Sequence, residues 1–269
     1  MLPSPPLVRI ATHGLEPVEA VVFDLDNTLV NRQRALARWL LDQLRALRAA
    51  HGLPPADRQN RRRWVHEIIA WDRWGARDHK QLANRLVSTA LDSILSPRQQ
   101  AERAEQLAGG IRELPNHVRP DARVQQLLAQ LAGQKFRLAV ASNGSSDLQR
   151  RKLQAAGLAE FPWDAVAISG ELGIAKPARQ LFERVASALR TRPNRILMVG
   201  DDWRRDVLGA RDAGWQSCWV TWGRTPPRET PAVWQVERTT DLLHHPALRR
   251  QLDQHRSGSH PECVEARHA

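Results

Sequence analysis

Cysteine is scarce. Of 269 residues only Cys218 and Cys263 carry a thiol, and Cys263 falls in a tail expected to be loose. Such a pair makes no disulfide framework, which excludes the small stapled scaffolds of secreted proteins and points to a reducing cytoplasm. Long apolar runs are missing too: none approaches the roughly 20 residues that a membrane span requires. The start, Met1-Leu2-Pro3-Ser4-Pro5-Pro6-Leu7, has neither a basic n-region nor an apolar core, so a soluble, unsecreted protein with no membrane partner is expected. Residues 1–17, with Pro3, Pro5, Pro6 and Pro17, read as a lead-in to the first strand.

Concentrated charge of one sign is also lacking. The net charge of +11 comes from 40 Lys plus Arg against 29 Asp plus Glu. Arginine is nevertheless spread along the chain, without a basic tail, zinc-finger spacing or a helix-turn-helix pattern. The expected meaning is a solvated basic surface that also draws small anions, with nucleic acid not the expected partner.

What the chain does have is 42% hydrophobic residues, enough for one large core with an insertion. Ala20-Val21-Val22-Phe23 reads as a buried strand, and it stops at Asp24 and Asp26, followed by Asn27 and Thr28. Two carboxylates at a strand's C-terminal end suit a paired-charge site, since ligands of open α/β sheets bind at that edge. The same residues would also suit an Asx turn that caps loose backbone groups.

Helical periodicity then takes over. Leu36, Trp39, Leu40, Leu44 and Leu47 mark a first helix, capped by Asn31 and stopped by Gly52-Leu53-Pro54-Pro55. Trp64, Val65, Ile68 and Ile69 mark a second helix; Leu82, Leu86, Val87, Ile94 and Leu95 a third. A fourth runs through Leu107 and Ile111 to Leu114-Pro115. An all-helical block between two strands of a parallel sheet is a domain-sized insertion, not a simple crossover. Within it lie Arg61-Arg62-Arg63-Trp64, His66, Trp71, Arg73 and Trp74. That composition could recognise a ring bearing phosphate; the preferred reading is indoles packing the insertion while the arginines face water.

Strand and helix alternate again from Asp121, with a helix through Val124, Leu127, Leu128 and Leu131. A strand over 136–141 ends in Ser142-Asn143-Gly144, a stretch that suits phosphate oxygens or an ordinary helix cap. A helix over 148–157 and a strand over 163–170 follow. Lys176-Pro177 either aims an ammonium out of an extended loop or starts a helix. A strand over 195–199 ends in Gly200-Asp201-Asp202-Trp203-Arg204-Arg205-Asp206. Three carboxylates at one strand tip repel unless a cation sits among them, and hard oxygens favour magnesium; capping by Asp202 accounts for one of the three. An edge strand over 233–236, a helix over 241–252 and a loose tail over 257–269 complete the reading.

Asp24-Leu25-Asp26-Asn27-Thr28 resembles the DxDxT signature of the haloacid dehalogenase superfamily. Ser142-Asn143, Lys176-Pro177 and Gly200-Asp201 with Asp206 resemble its second, third and fourth motifs, in order, over roughly residues 18–222. The resemblance implies a Rossmann-like, doubly wound parallel sheet with an inserted helical cap: a core over 1–31 and 117–256 and a cap over 32–116, of the kind that closes over the site and chooses the substrate. It implies a phosphatase that works with Mg2+ through an aspartyl phosphate. Asp24 is then the nucleophile, Asp26 the general acid and base, and Lys176 the cation joining nucleophile and phosphate. Thr28, Ser142 and Asn143 bind phosphate; Asp24, Asp26 through its carbonyl, Asp201 and Asp206 hold or back the metal. The expected substrate is a small phosphomonoester such as a nucleotide or flavin mononucleotide, and the expected assembly a monomer or weak dimer. The alternatives are a phosphomutase or sugar-phosphate phosphatase of the same fold, and a non-catalytic basic nucleic-acid-binding protein.

Overall fold

The computed structural model describes residues 16–75, 78–91, 94–227, 233–244 and 248–249. The tail expected over 257–269, with Cys263, lies outside them. The chain divides into two units: one takes the residues up to Thr28, Ala122–Asn143 and those from Pro162 onward, the other Leu29–Asp121 and Gly144–Phe161.

The first unit is built on six parallel strands: β1 Ala20–Phe23, β2 Arg137–Ser142, β3 Ala165–Ile168, β4 Ile196–Gly200, β5 Gln216–Val220 and β6 Trp234–Val236. Their order is β3-β2-β1-β4-β5-β6, the doubly wound arrangement in which the strand order reverses beside β1. β1 and β4 are buried along their whole length, which is why they read as unbroken apolar runs instead of alternating ones. On one face Ala20, Val22, Ala139, Ala141, Ile196 and Met198 pack against the helix α7, Arg179–Leu189, through Leu181, Phe182, Val185 and Leu189. Phe182 meets Trp215 edge to face at 5.2 Å, worth about 1 kcal/mol beyond the area it buries. A further helix, α5 Ala122–Gly133, buries Val124, Leu127, Leu128 and Leu131.

Register brings the expected motifs to one edge. Phe23 lies opposite Val140 on one side and Val199 on the other, so the residue after it, Asp24, comes level with Ala141 and Gly200. Ser142-Asn143 and Asp201 are therefore delivered beside it.

The second unit is helical: α1 Arg32–Ala50, α2 Arg58–Asp72, α3 His79–Leu91, α4 Pro97–Ala108 and α6 Ser146–Ala155. Asn31 caps α1 as expected, its side chain accepting from Arg34 N at 2.9 Å. Two boundaries differ from the periodicity. Ile94 and Leu95 lie past the end of α3, where their amides turn back onto the Leu91 carbonyl, because Ser96 with Gln99 forms a capping box and Pro97 opens the next helix. After Ala108 the fourth helix tightens to 3-10 geometry over Gly109–His117. The helix expected over 241–252 is represented by a 3-10 segment, Thr239–His244, and most of its remainder lies outside the described residues. In the Arg/Trp stretch, Val65, Ile68 and Asp72 are the buried positions; Trp64, Trp71 and Trp74 are half-buried, the Arg48 guanidinium lies 5.7 Å from the Trp64 ring centroid, and Arg62, Arg63 and Arg73 are exposed.

Candidate active site

Asp24 leaves β1 by donating its amide to the Val199 carbonyl at 2.9 Å, which ties its backbone to β4. Asn27 takes a left-handed conformation, φ 57, which Asn tolerates better than most residues, so the chain turns at once after the second aspartate. Thr28 is buried in this turn, and its Oγ1 has no hydrogen-bond partner among the described residues. Asp26 is half-buried.

Lys176 is the hub. Its Nζ donates to Asp24 Oδ1 at 2.7 Å and to the Ala141 carbonyl at 2.6 Å, and it lies 2.6 Å from Asp206 Oδ1. An ammonium has three donors; two of them make hydrogen bonds here, and the contact with Asp206 Oδ1 is an ion pair. Asn143 fixes this lysine from behind, donating through Nδ2 to the Lys176 carbonyl and accepting the Lys176 amide on Oδ1, both at 2.9 Å. The Lys176–Pro177 peptide bond is cis. Gly209 lets this loop pack closely, since a Cβ there would lie 3.0 Å from Pro177 and 2.9 Å from Phe182.

Asp206 sits fully buried under the end of β4, its Oδ2 accepting from Asp202 N at 3.0 Å. The glycine at 200 is what permits this, because a Cβ on Gly200 would run into the Asp206 carboxylate. Asp202 itself caps the π-helical turn Trp203–Leu208, accepting from Arg205 N at 2.8 Å. Capping thus accounts for one of the three strand-tip carboxylates; the other two turn inward.

Asp24, Asp201 and Asp206, all buried, bring carboxylate oxygens within 4.8 Å of one another. Burial, opposed by Lys176 and reinforced by Asp206, pushes Asp24 from 3.8 up to about 7. Burial, then the charges of Asp24 and Asp206, raises Asp201 well above the usual carboxylate range, and burial raises Asp206 against the pull of Lys176. Burial alone would lower Lys176, but Asp206 and Asp24 outweigh it and hold its ammonium charged. Burial is the first cause of all three shifts; three clustered carboxylates facing one ammonium leave a surplus of negative charge, and hard oxygen donors with such a surplus fit a divalent cation such as Mg2+. Asp26 contributes to this cluster as a neighbouring negative charge on Asp24. Ser142, the last residue of β2, is buried at the same edge.

One layer of contacts escaped the sequence reading. Trp219 Nε1 and Arg224 both donate to the Asp201 carbonyl, at 2.9 and 2.8 Å, and Arg224 also reaches Asp201 Oδ2 at 3.2 Å. Trp222 Nε1 donates to the Asn27 carbonyl at 2.6 Å, and Thr239 Oγ1 to the Thr28 carbonyl at 2.7 Å. The one local signal was an indole in a buried strand, whose N–H must find a partner; nothing in the sequence says which carbonyl it finds.

Known proteins resemble this chain in sequence and in fold. A model of the haloacid dehalogenase-like hydrolases matches residues 18–214. A phosphoserine phosphatase of Thermus thermophilus is 40% identical over 145 residues, 52% of this chain and 55% of that enzyme, so the chain spans about half of that relative's length. An N-acetylmuramic acid 6-phosphate phosphatase of Pseudomonas aeruginosa is 29% identical over 225 residues, covering 83% of this chain and 91% of that enzyme. Among solved structures, the Bacillus subtilis hydrolase YfnB bound to magnesium aligns over 85% of this chain and 98% of its own, with a TM-score of 0.62 at 21% identity.

Proposed function

Because the chain belongs to the haloacid dehalogenase-like hydrolases, we propose that it hydrolyses a small phosphomonoester through an aspartyl phosphate on Asp24, with Mg2+ held by Asp24, Asp201 and the carbonyl of Asp26 and backed by Asp206. The observation that carries this reading is the Lys176 ammonium, 2.7 Å from Asp24 and 2.6 Å from Asp206, inside a buried cluster of three aspartates. When bound, the metal supplies positive charge to the phosphate oxygens.

The chain's own residues do the rest. Asp24 attacks phosphorus through a carboxylate oxygen, forming the acyl–phosphate bond as the bond from phosphorus to the ester oxygen breaks. Asp26 gives its proton to the departing oxygen, which leaves as an alcohol. In the second step Asp26 takes a proton from water as that water attacks phosphorus, releasing inorganic phosphate and restoring the Asp24 carboxylate. Lys176 keeps Asp24 in line and opposes the charge that gathers on the phosphoryl group. Thr28, with its orphaned hydroxyl, and Ser142 with the backbone of Asn143 bind the transferred phosphoryl oxygens. Asn143 spends its side-chain amide on Lys176 and so also acts as a positioning residue. The helical insertion over 32–116 is the substrate-selecting cap. The names of the relatives, a phosphoserine phosphatase and an N-acetylmuramic acid 6-phosphate phosphatase, support testing an amino-acid phosphate and a sugar phosphate alongside nucleotides and flavin mononucleotide.

The test is phosphate release from p-nitrophenyl phosphate and a panel of amino-acid, sugar, nucleotide and flavin phosphates, with Mg2+ and with EDTA. Turnover that needs the metal and disappears in Asp24→Asn is expected. A folded protein that releases phosphate from none of these esters with Mg2+ present would overturn the reading.

A further inference from the structure

The segment after β5 is bent in an unusual way. Trp222 and Gly223 are both left-handed, φ 50 and φ 76, a conformation that a residue with a Cβ such as tryptophan rarely adopts. The turn directs Arg224 back toward β4. Its Nε donates to the Thr221 carbonyl at 2.8 Å, and its Nη2 to the carbonyls of Val220 and Asp201 at 3.0 and 2.8 Å and to Asp201 Oδ2 at 3.2 Å. The guanidinium also lies 5.5 Å from the Trp219 ring centroid, and Trp219 in turn meets Trp203 edge to face at 5.3 Å.

We infer that Arg224 is a positioning residue for the metal site: it holds Asp201 by one carboxylate oxygen and by its backbone, so that the other oxygen is presented to the cation in a single orientation. The inference rests on the metal-dependent reading of the same cluster. A planar fork reaches four acceptors at once, three of them backbone carbonyls at the ends of two neighbouring strands; a lysine ammonium on a flexible stem cannot. A partner that orients a metal-ligating carboxylate affects affinity as the ligands themselves do, typically by 10- to 100-fold.

Two roles for Arg224 predict opposite results. As a mere positive charge beside a cation, it would oppose binding, and its removal would tighten the site. As the residue that orients Asp201, its loss weakens the site even when the charge is kept. Isothermal titration of Mg2+ into the metal-free full-length chain, without substrate, separates them. Arg224→Lys keeps the charge and Arg224→Gln keeps a hydrogen-bonding amide; each is first checked for folding by far-UV circular dichroism, and either one suffices. At least tenfold weaker Mg2+ binding than wild type in the folded variants is expected. Binding within twofold of wild type in Arg224→Lys, or tighter binding in Arg224→Gln, would overturn the inference while leaving the phosphatase reading intact. Wild-type protein that binds no Mg2+ would instead overturn the metal reading itself.

Discussion

Burial of the site's carboxylates, with like charge beside them, predicts a stability that falls as pH rises, measurable without any substrate. An ordinary Asp carboxyl titrates near 3.8, and in the folded chain Asp24 is raised to about 7. Between those values the folded state keeps a proton that the unfolded state has lost, so the unfolded state binds fewer protons and stability decreases with pH. The effect is absent below the unfolded value and fully developed above about 7. At about 1.4 kcal/mol per decade, the Asp24 carboxylate alone makes the metal-free protein about 4 kcal/mol less stable at pH 8 than it would be with an ordinary acid. Asp201 and Asp206, also raised, add to the slope in the same direction. Urea unfolding in EDTA at half-unit steps from pH 4 to 8, on wild type and Asp24→Asn, isolates the contribution, since groups unconnected with Asp24 titrate alike in both. The variant should gain on wild type through this window, reaching a plateau near pH 7, and saturating Mg2+ should flatten the wild-type curve. Equal slopes for the two proteins, or a wild type that gains on the variant as pH rises, would refute the argument from burial and like charge.

Other perturbations test the scaffold around the site. Gly200→Ala forces a Cβ into the Asp206 carboxylate; about 2–3 kcal/mol of lost stability is expected from such overpacking, together with loss of turnover, read by thermal melting and phosphate release. Arg32→Ala leaves the fully buried Asp72 without the guanidinium that lies 2.7 Å from it. Breaking a buried pair from one side costs about 3–5 kcal/mol, so the melting temperature should drop sharply, whereas a change under 1 kcal/mol would mean that the pair is well solvated. Asn143→Ala removes two hydrogen bonds from the Lys176 backbone. At about 1 kcal/mol each, a 10- to 100-fold fall in kcat with KM little changed is expected, and a fall confined to KM would contradict a positioning role.

Much of this molecule is local in origin. The buried runs of β1 and β4 announce strands covered on both faces, Asn31 announces the start of α1, and carboxylates placed where a strand stops announce a charged site, because burying Asp is too costly to occur without a use. Helix ends were less legible. The apolar spacing that included Ile94 and Leu95 continued past the true end of α3, since periodicity reports which face would be buried and not whether the next residues prefer to cap a new helix.

Chain distance limits what a sequence can reveal about a site. Lys176 lies 152 residues from Asp24, and the parallel register of β1 with β2 and β4 brings three separate strand ends together, where the Lys176 loop joins them. Motif order implied that these residues would meet. Which oxygens Lys176 takes, the assignment of Asn143 to the lysine backbone, and the grip of Arg224, Trp219 and Trp222 on the motif loops were decided by tertiary packing. The physical reason is that a buried hydrogen bond depends on which carbonyl lies within about 3 Å of a donor, and that is settled by how strands from distant parts of the chain align.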